Sequence, residues 1–185
     1  IKDCFAGENI LLLGPGKTIE TEQFKIQKFI EEKNPVIVSI NFVHDKYPID
    51  YVFMSNAKRY SQFFDKIYGD ITNAKLILTS NITHAAKKAD FLVDYSALVT
   101  DKENIRDNPL IMFIKLVHRI GLTSVFLAGF DGYIDQSEQN YYGAYVPYLF
   151  CQDDLISRNE AIKNEINVLS KDVSIKSITK SNYFR

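Results

Sequence analysis

Four consecutive apolar residues, Ile10-Leu11-Leu12-Leu13, run straight into Gly14-Pro15-Gly16-Lys17-Thr18, and a helical pattern begins near Glu20. An uninterrupted apolar strand is covered on both faces, which points to the interior of a parallel sheet. The abrupt glycine-rich turn between strand and helix is the layout that α/β proteins use at phosphate and nucleotide sites. One segment therefore constrains the fold class and nominates a ligand site. It specifies no reaction.

Strand-sized apolar runs recur at 9–13, 36–40, 51–54, 75–78, 91–93 and 124–128, several of them continuous rather than alternating. Helical patterns lie between them. Residues 20–33 place Ile26, Phe29 and Ile30 at helical spacing, with Phe24 off that face. Residues 56–67 place Tyr60, Phe63, Phe64 and Ile67 on one face. Residues 110–120 are strongly apolar and predict a buried helix closed by Gly121, with His118 as a structural residue inside it. Residues 154–170 predict an amphipathic final helix, and the alternating 173–178 an edge strand. Alternation of strand and helix predicts a single α/β domain. It is a Rossmann-like three-layer sandwich, with a mostly parallel sheet of about six or seven strands.

In such sheets ligands sit beyond the carboxyl ends of the strands. Those ends carry Gly14, Gly16, Lys17 and Thr18, then Asn41, Asn56 and Asn81 beside Ser39, Ser55 and Ser80, then Asp94, and finally Gly129-Phe130-Asp131-Gly132-Tyr133. Glycines permit close backbone approach, Lys17 offers charge, and Thr18 offers a hydroxyl or an N-cap. The asparagines offer both donor and acceptor to a base or sugar. Asp131 suits a ribose hydroxyl or a metal-bound phosphate. The alternative at each position is a plain turn or cap. The spacing matches neither the Walker pattern nor G-x-G-x-x-G, because position 19 is isoleucine. Residues 134–148 form the longest irregular stretch, and Tyr141, Tyr142, Tyr145 and Tyr148 in it suggest a lid.

The rest of the composition narrows the classes. The 185 residues carry a formal net charge of −1, so no basic excess points to nucleic acid. No apolar run is long enough to span a membrane. Cys4 and Cys151 offer neither a disulfide framework nor metal spacing, and a reducing cytoplasm is the simplest compartment. No trusted metal-ligand cluster is present. His44-Asp45 predicts a solvated loop rather than an acid–base pair. For any transfer chemistry, the rim residues to test as general base are Asp131, Asp94 and His84. The first residue is Ile1, and Lys2-Asp3-Cys4-Phe5 is neither signal peptide nor tag, so a piece of a longer protein is expected.

Six blocks in order carry a resemblance: Leu11-Leu12-Leu13-Gly14-Pro15-Gly16-Lys17; Val38-Ser39-Ile40-Asn41-Phe42; Asp50-Tyr51-Val52-Phe53-Met54-Ser55-Asn56 with Lys58-Arg59-Tyr60; Thr79-Ser80-Asn81-Ile82; Asp94-Tyr95-Ser96; and Leu127-Ala128-Gly129-Phe130-Asp131-Gly132-Tyr133. Residues 9–170 resemble the C-terminal domain that follows the catalytic barrel in some bacterial 4-hydroxy-2-oxovalerate aldolases. The resemblance implies an upstream aldolase barrel in the same chain, holding the metal and the lyase chemistry. The present residues would form an accessory domain. A broader likeness to CMP-sugar-using bacterial sialyltransferases and to 6-hydroxymethylpterin pyrophosphokinases implies a nucleotide or nucleotide-sugar pocket. Gly14, Gly16, Asn41 and Asn56 would line it, and Asp131, Tyr133 and Tyr141 or Tyr142 would close it. The sialyltransferases carry a catalytic histidine after the aspartate segment, whereas no histidine follows His118 here. The expected function is thus a nucleotide-binding accessory domain. The alternatives are a transferase using a nucleotide-activated donor, or a packing domain that drives homo-oligomerisation.

Overall fold

The computed structural model describes residues 1–5, 7, 9–70, 73–134 and 152–184. Among them, seven strands form one sheet: β1 (Ile10–Leu13), β2 (Val36–Ile40), β3 (Tyr51–Met54), β4 (Lys75–Thr79), β5 (Phe91–Val93), β6 (Ser124–Ala128) and β7 (Ser174–Ser177). Their order is β5-β4-β3-β2-β1-β6-β7, and every neighbouring pair is parallel. The helices are α1 (Lys2–Phe5), α2 (Thr18–Thr21), α3 (Gln23–Lys33), α4 (Ala57–Gln62), α5 (Pro109–Arg119) and α6 (Gln152–Leu169). This is the Rossmann-like α/β sandwich that the alternation predicts. No helix among the described residues is long and apolar enough to cross a membrane.

Strand alternation divides the core into two layers. Ile10 and Leu12 face α5 and α6, packing with Phe113, Ile162 and Ile166. Leu11 and Leu13 face the opposite side, with Ile19, Ile26 and Tyr60. All four β1 side chains are buried, which is why the run is apolar without interruption. Helix α5 begins where Asn108 accepts a hydrogen bond from the Ile111 amide at 3.2 Å and Pro109 takes the first turn. It buries seven side chains and ends before Gly121, whose φ is +81°.

Two expectations change. The helix predicted over 20–33 breaks at Glu22 into α2 and α3, and the Glu22 carboxylate accepts from the Lys180 amide at 3.3 Å. His118 is not enclosed by the apolar helix. It lies in the last turn of α5 on the exposed side, 3.9 Å from Asp172. The segment 173–178 does form an edge strand, β7, parallel to β6.

From β1 to β5 the chain steps outward one strand at a time. It then returns through α5 to place β6 on the other side of β1. The β1–β6 pair is therefore the topological switch point, where successive crossovers leave in opposite directions and open a crevice. The two turns there touch through their backbones. The Gly14 amide donates to the Ala128 carbonyl and the Gly16 amide to the Gly129 carbonyl, each at 2.8 Å. A Cβ on Gly14 would lie 2.5 Å from the Gly129 oxygen. One on Gly129, at φ +75°, would lie 2.4 Å from Ile19 and 2.5 Å from the Gly14 oxygen. Gly129→Ala should destabilise the fold by about 3 kcal/mol or more, combining a left-handed φ with a backbone clash. Gly69→Ala, with open space around it, should be neutral or stabilising by up to about 1 kcal/mol. Urea unfolding of both variants checks the contrast.

Candidate functional site

A cleft of about 380 Å³ opens at the switch point. This lies within the usual range of small-ligand sites, roughly 300–1,000 Å³. Its floor is Pro15 and Gly16 after β1, and Ile40, Asn41 and Phe42 at the end of β2. Asn56 and Arg59 come from the start of α4. Residues 107–110 bring the first turn of α5, residues 129–133 follow β6, and Arg158 and Tyr183 come from the C-terminal part.

The glycine turn has a different occupant from the one its sequence suggests. Asp131 reaches across and accepts the Thr18 amide at 2.9 Å through Oδ2, while Oδ1 accepts the Thr18 hydroxyl. Gly14 and Gly16 give their amides to Ala128 and Gly129, Pro15 has none, and the Ile19 amide donates to the Gly16 carbonyl at 3.2 Å. The amides of Gly14, Gly16, Thr18 and Ile19 are thus engaged within the protein. Lys17 is not among the residues that line the cleft. Thr18 lies in the first turn of α2, and the cap it was expected to provide comes instead from Asp131, 113 residues away. Burial pushes the Asp131 carboxyl above the usual range, opposed by the Thr18 bonds and reinforced by the charge of Glu22.

The segment carrying Asp131 is clamped from the C-terminal side. Thr179 Oγ1 accepts the Gly129 amide at 3.1 Å and lies 3.0 Å from Thr18 Oγ1. Ser181 donates to the Phe130 carbonyl at 2.6 Å, and the Asn182 amide donates to the Asp131 carbonyl at 2.9 Å. On α6, Asn159 accepts the Tyr133 amide at 2.9 Å and donates to its carbonyl at 2.7 Å. These clamps hold Tyr133 at the cleft wall.

Two of the three asparagines, Asn41 and Asn81, stitch strand ends together, and Asn56 caps a helix. Asn41, at φ +49°, accepts the Ser55 amide at 2.8 Å and donates to the Ser55 hydroxyl at 3.2 Å. Asn81 donates to the Ser55 carbonyl at 3.1 Å and accepts from Thr79. Asn56 caps α4 by accepting the Arg59 amide at 3.0 Å. Asn41 and Asn56 line the cleft and Asn81 does not. Of the three residues nominated as general base, Asp131 alone is in the cleft. Asp94 accepts from the Ser96 amide and hydroxyl in its own turn. His84 packs edge-on to Tyr60 in a separate shallow groove with Phe64 and Lys88. Tyr141, Tyr142, Tyr145 and Tyr148 lie outside the described residues.

Sequence inspection nominated neither Arg158 nor Tyr183, and Arg59 and Asp107 drew no functional role from it. The apolar run of α5 was legible as a helix, but nothing local ties its Asn108-Pro109 start to the cleft. Thr179 and Ser181 carry no motif at all. Among the described residues, no group of three or more His, Cys, Asp or Glu side chains is placed to hold a metal ion. No family model matches this sequence, and no curated protein matches it.

His44 was expected in a solvated loop and is instead buried, 3% exposed, between Phe42 and Tyr47. Its Nε2 lies 3.1 Å from the Gly14 carbonyl, which only accepts, so Nε2 carries the proton. Burial lowers its pKa to about 4, against the Gly14 bond and Asp45, which raise it. Because the folded pKa is depressed, the unfolded chain binds this proton first. Stability from the neutral ring is full above about pH 6.5 and falls as pH drops toward 4, by about 3 kcal/mol. Asp131 acts in the opposite sense, since its raised pKa favours the fold as pH falls. Urea unfolding between pH 4 and 7 should show a His44→Gln variant whose stability difference from wild type shrinks steadily with acidification. A constant difference would contradict the assignment.

Proposed function

We propose that this chain is a small-molecule-binding domain whose ligand is a nucleotide or nucleotide-sugar held in the switch-point cleft. The observation that carries the proposal is the set of side chains converging there. Arg59 and Arg158 supply permanent charge for phosphate, and Asp107 and Asp131 supply acceptors for sugar hydroxyls. Tyr133 and Tyr183 supply flat apolar surface for a base. The location agrees with the general rule for open parallel sheets. The sequence resemblance over 9–170 supports a role as an accessory domain to an upstream aldolase barrel. In that arrangement the lyase chemistry belongs to the barrel.

One observation favours transferase activity as a second reading. A carboxyl group with a raised pKa in a ligand cleft is what a general base requires, and Asp131 is such a group. A packing role through α6 has less support. Its exposed apolar residues Ile156 and Val168 are twelve positions apart, about 120° around the helix, and form no single stripe.

Thermal melting with CMP, CDP, UDP, GDP, ATP and nucleotide sugars separates these roles. A nucleotide at 100-fold over its dissociation constant should add about 2.7 kcal/mol of stability. The binding proposal fails if no nucleotide raises the melting temperature. Turnover of a bound nucleotide-sugar that disappears in Asp131→Asn would move the assignment to transferase.

A further inference from the structure

We propose that the phosphate of the ligand is held by Arg59 and Arg158, which line the cleft from α4 and α6, and that the glycine turn after β1 holds no ligand anion because Asp131 already fills it. This rests on the nucleotide reading and goes further by assigning the phosphate subsite.

Sterics exclude a ligand phosphate from the turn. The Asp131 carboxyl carbon lies 2.6 Å, and its Oδ1 2.7 Å, from where a Gly16 Cβ would sit. A space too small for one methyl group admits no phosphate between Gly16 and Asp131. Hydrogen bonding disfavours it as well, because the amides of Gly14, Gly16, Thr18 and Ile19 already have acceptors within the protein and Pro15 has none to give. An incoming dianion would also meet the carboxylate of Asp131 at close range, a like-charge contact. The turn therefore resembles an anion-binding turn whose anion is part of the chain.

The arginines supply what the turn withholds. Arg59 projects from the first turns of α4, where its own amide is fixed by the Asn56 cap and its Nη1 donates to Gln62 at 2.9 Å. Arg158 comes from α6, one position before Asn159, which clamps Tyr133. Both line the same cleft. A guanidinium stays charged at all working pH values and offers paired donors that match phosphate oxygens. With phosphate placed there, the sugar and base would extend toward Asp131 and Tyr133.

Isothermal titration of the full chain with inorganic pyrophosphate and with CDP tests the assignment. Wild type should bind both. Arg59→Gln and Arg158→Gln should each weaken both by about tenfold or more, since each removes a charged phosphate contact. Lys17→Gln, the substitution that a phosphate on the glycine turn would not tolerate, should leave both constants within about twofold. Circular dichroism melts establish that each variant is folded. CDP binding that survives both arginine substitutions, or that is lost in Lys17→Gln, overturns the phosphate assignment and leaves the nucleotide reading standing. If neither pyrophosphate nor CDP binds wild type while another nucleotide does, the arginine assignment also fails. Absence of binding by every nucleotide overturns both.

Discussion

The backbone contact between the turns after β1 and β6 is the constraint on which the rest of the structure depends. Strands β1 to β5 and strands β6 and β7 meet along one seam, and that seam continues past the strand ends as glycine packed on glycine. Gly14, Gly16 and Gly129 leave no space for a Cβ, so the two turns approach until their amides and carbonyls pair. That approach brings Asp131 within reach of Thr18, and it fixes the direction in which α2 departs. The same contact forms the floor of the cleft. A larger residue at any of the three positions would separate the halves of the sheet where the site is built.

Polar chemistry at this rim is largely engaged in holding the rim together. Asn41, Ser55 and Asn81 link the ends of β2, β3 and β4, while Thr179, Ser181 and Asn159 secure the segment after β6. Buried polar groups are costly unless paired, so these bonds are what allow so many hydroxyl and amide groups at one edge of the sheet. The groups suited to a ligand are then those that project from the helices flanking the rim. Arg59, Arg158 and the start of α5 are of this kind. On the proposed reading, a rim so bonded with Arg59 and Arg158 beside it would form a ligand cleft before the ligand arrives.

Strands were legible because their signal is local. An apolar run such as Ile10-Leu11-Leu12-Leu13 must be covered on both faces whatever surrounds it, and the alternation of such runs with helical patterns implied a parallel sheet. Helix α5 was legible for the same reason, as an apolar run closed by Gly121, whereas its Asn108 cap and Pro109 in the first turn are seen only in the structure. The roles of polar residues were not local. Nothing near Thr18 announces a carboxylate 113 residues away, and nothing near Asn41 announces Ser55 as its partner. His44 has polar neighbours in sequence, but its burial depends on Phe42, Tyr47 and the Gly14 carbonyl closing around it. The break at Glu22 depends likewise on an amide from the other end of the chain. Pro15 and Gly16 of the glycine turn line the cleft, while Thr18 beside them bonds Asp131 from the segment after β6.

Amide chemical-shift mapping during titration of the ¹⁵N-labelled chain with CDP tests the central claim most directly. The account predicts that the largest changes fall on the amides of Asp107, Asn108, Leu110 and residues 130–133 and on the Nε signals of Arg59 and Arg158, all of which border one cleft. Changes centred on the groove formed by Tyr60, Phe64, His84 and Lys88, or no change at saturating CDP, would contradict it.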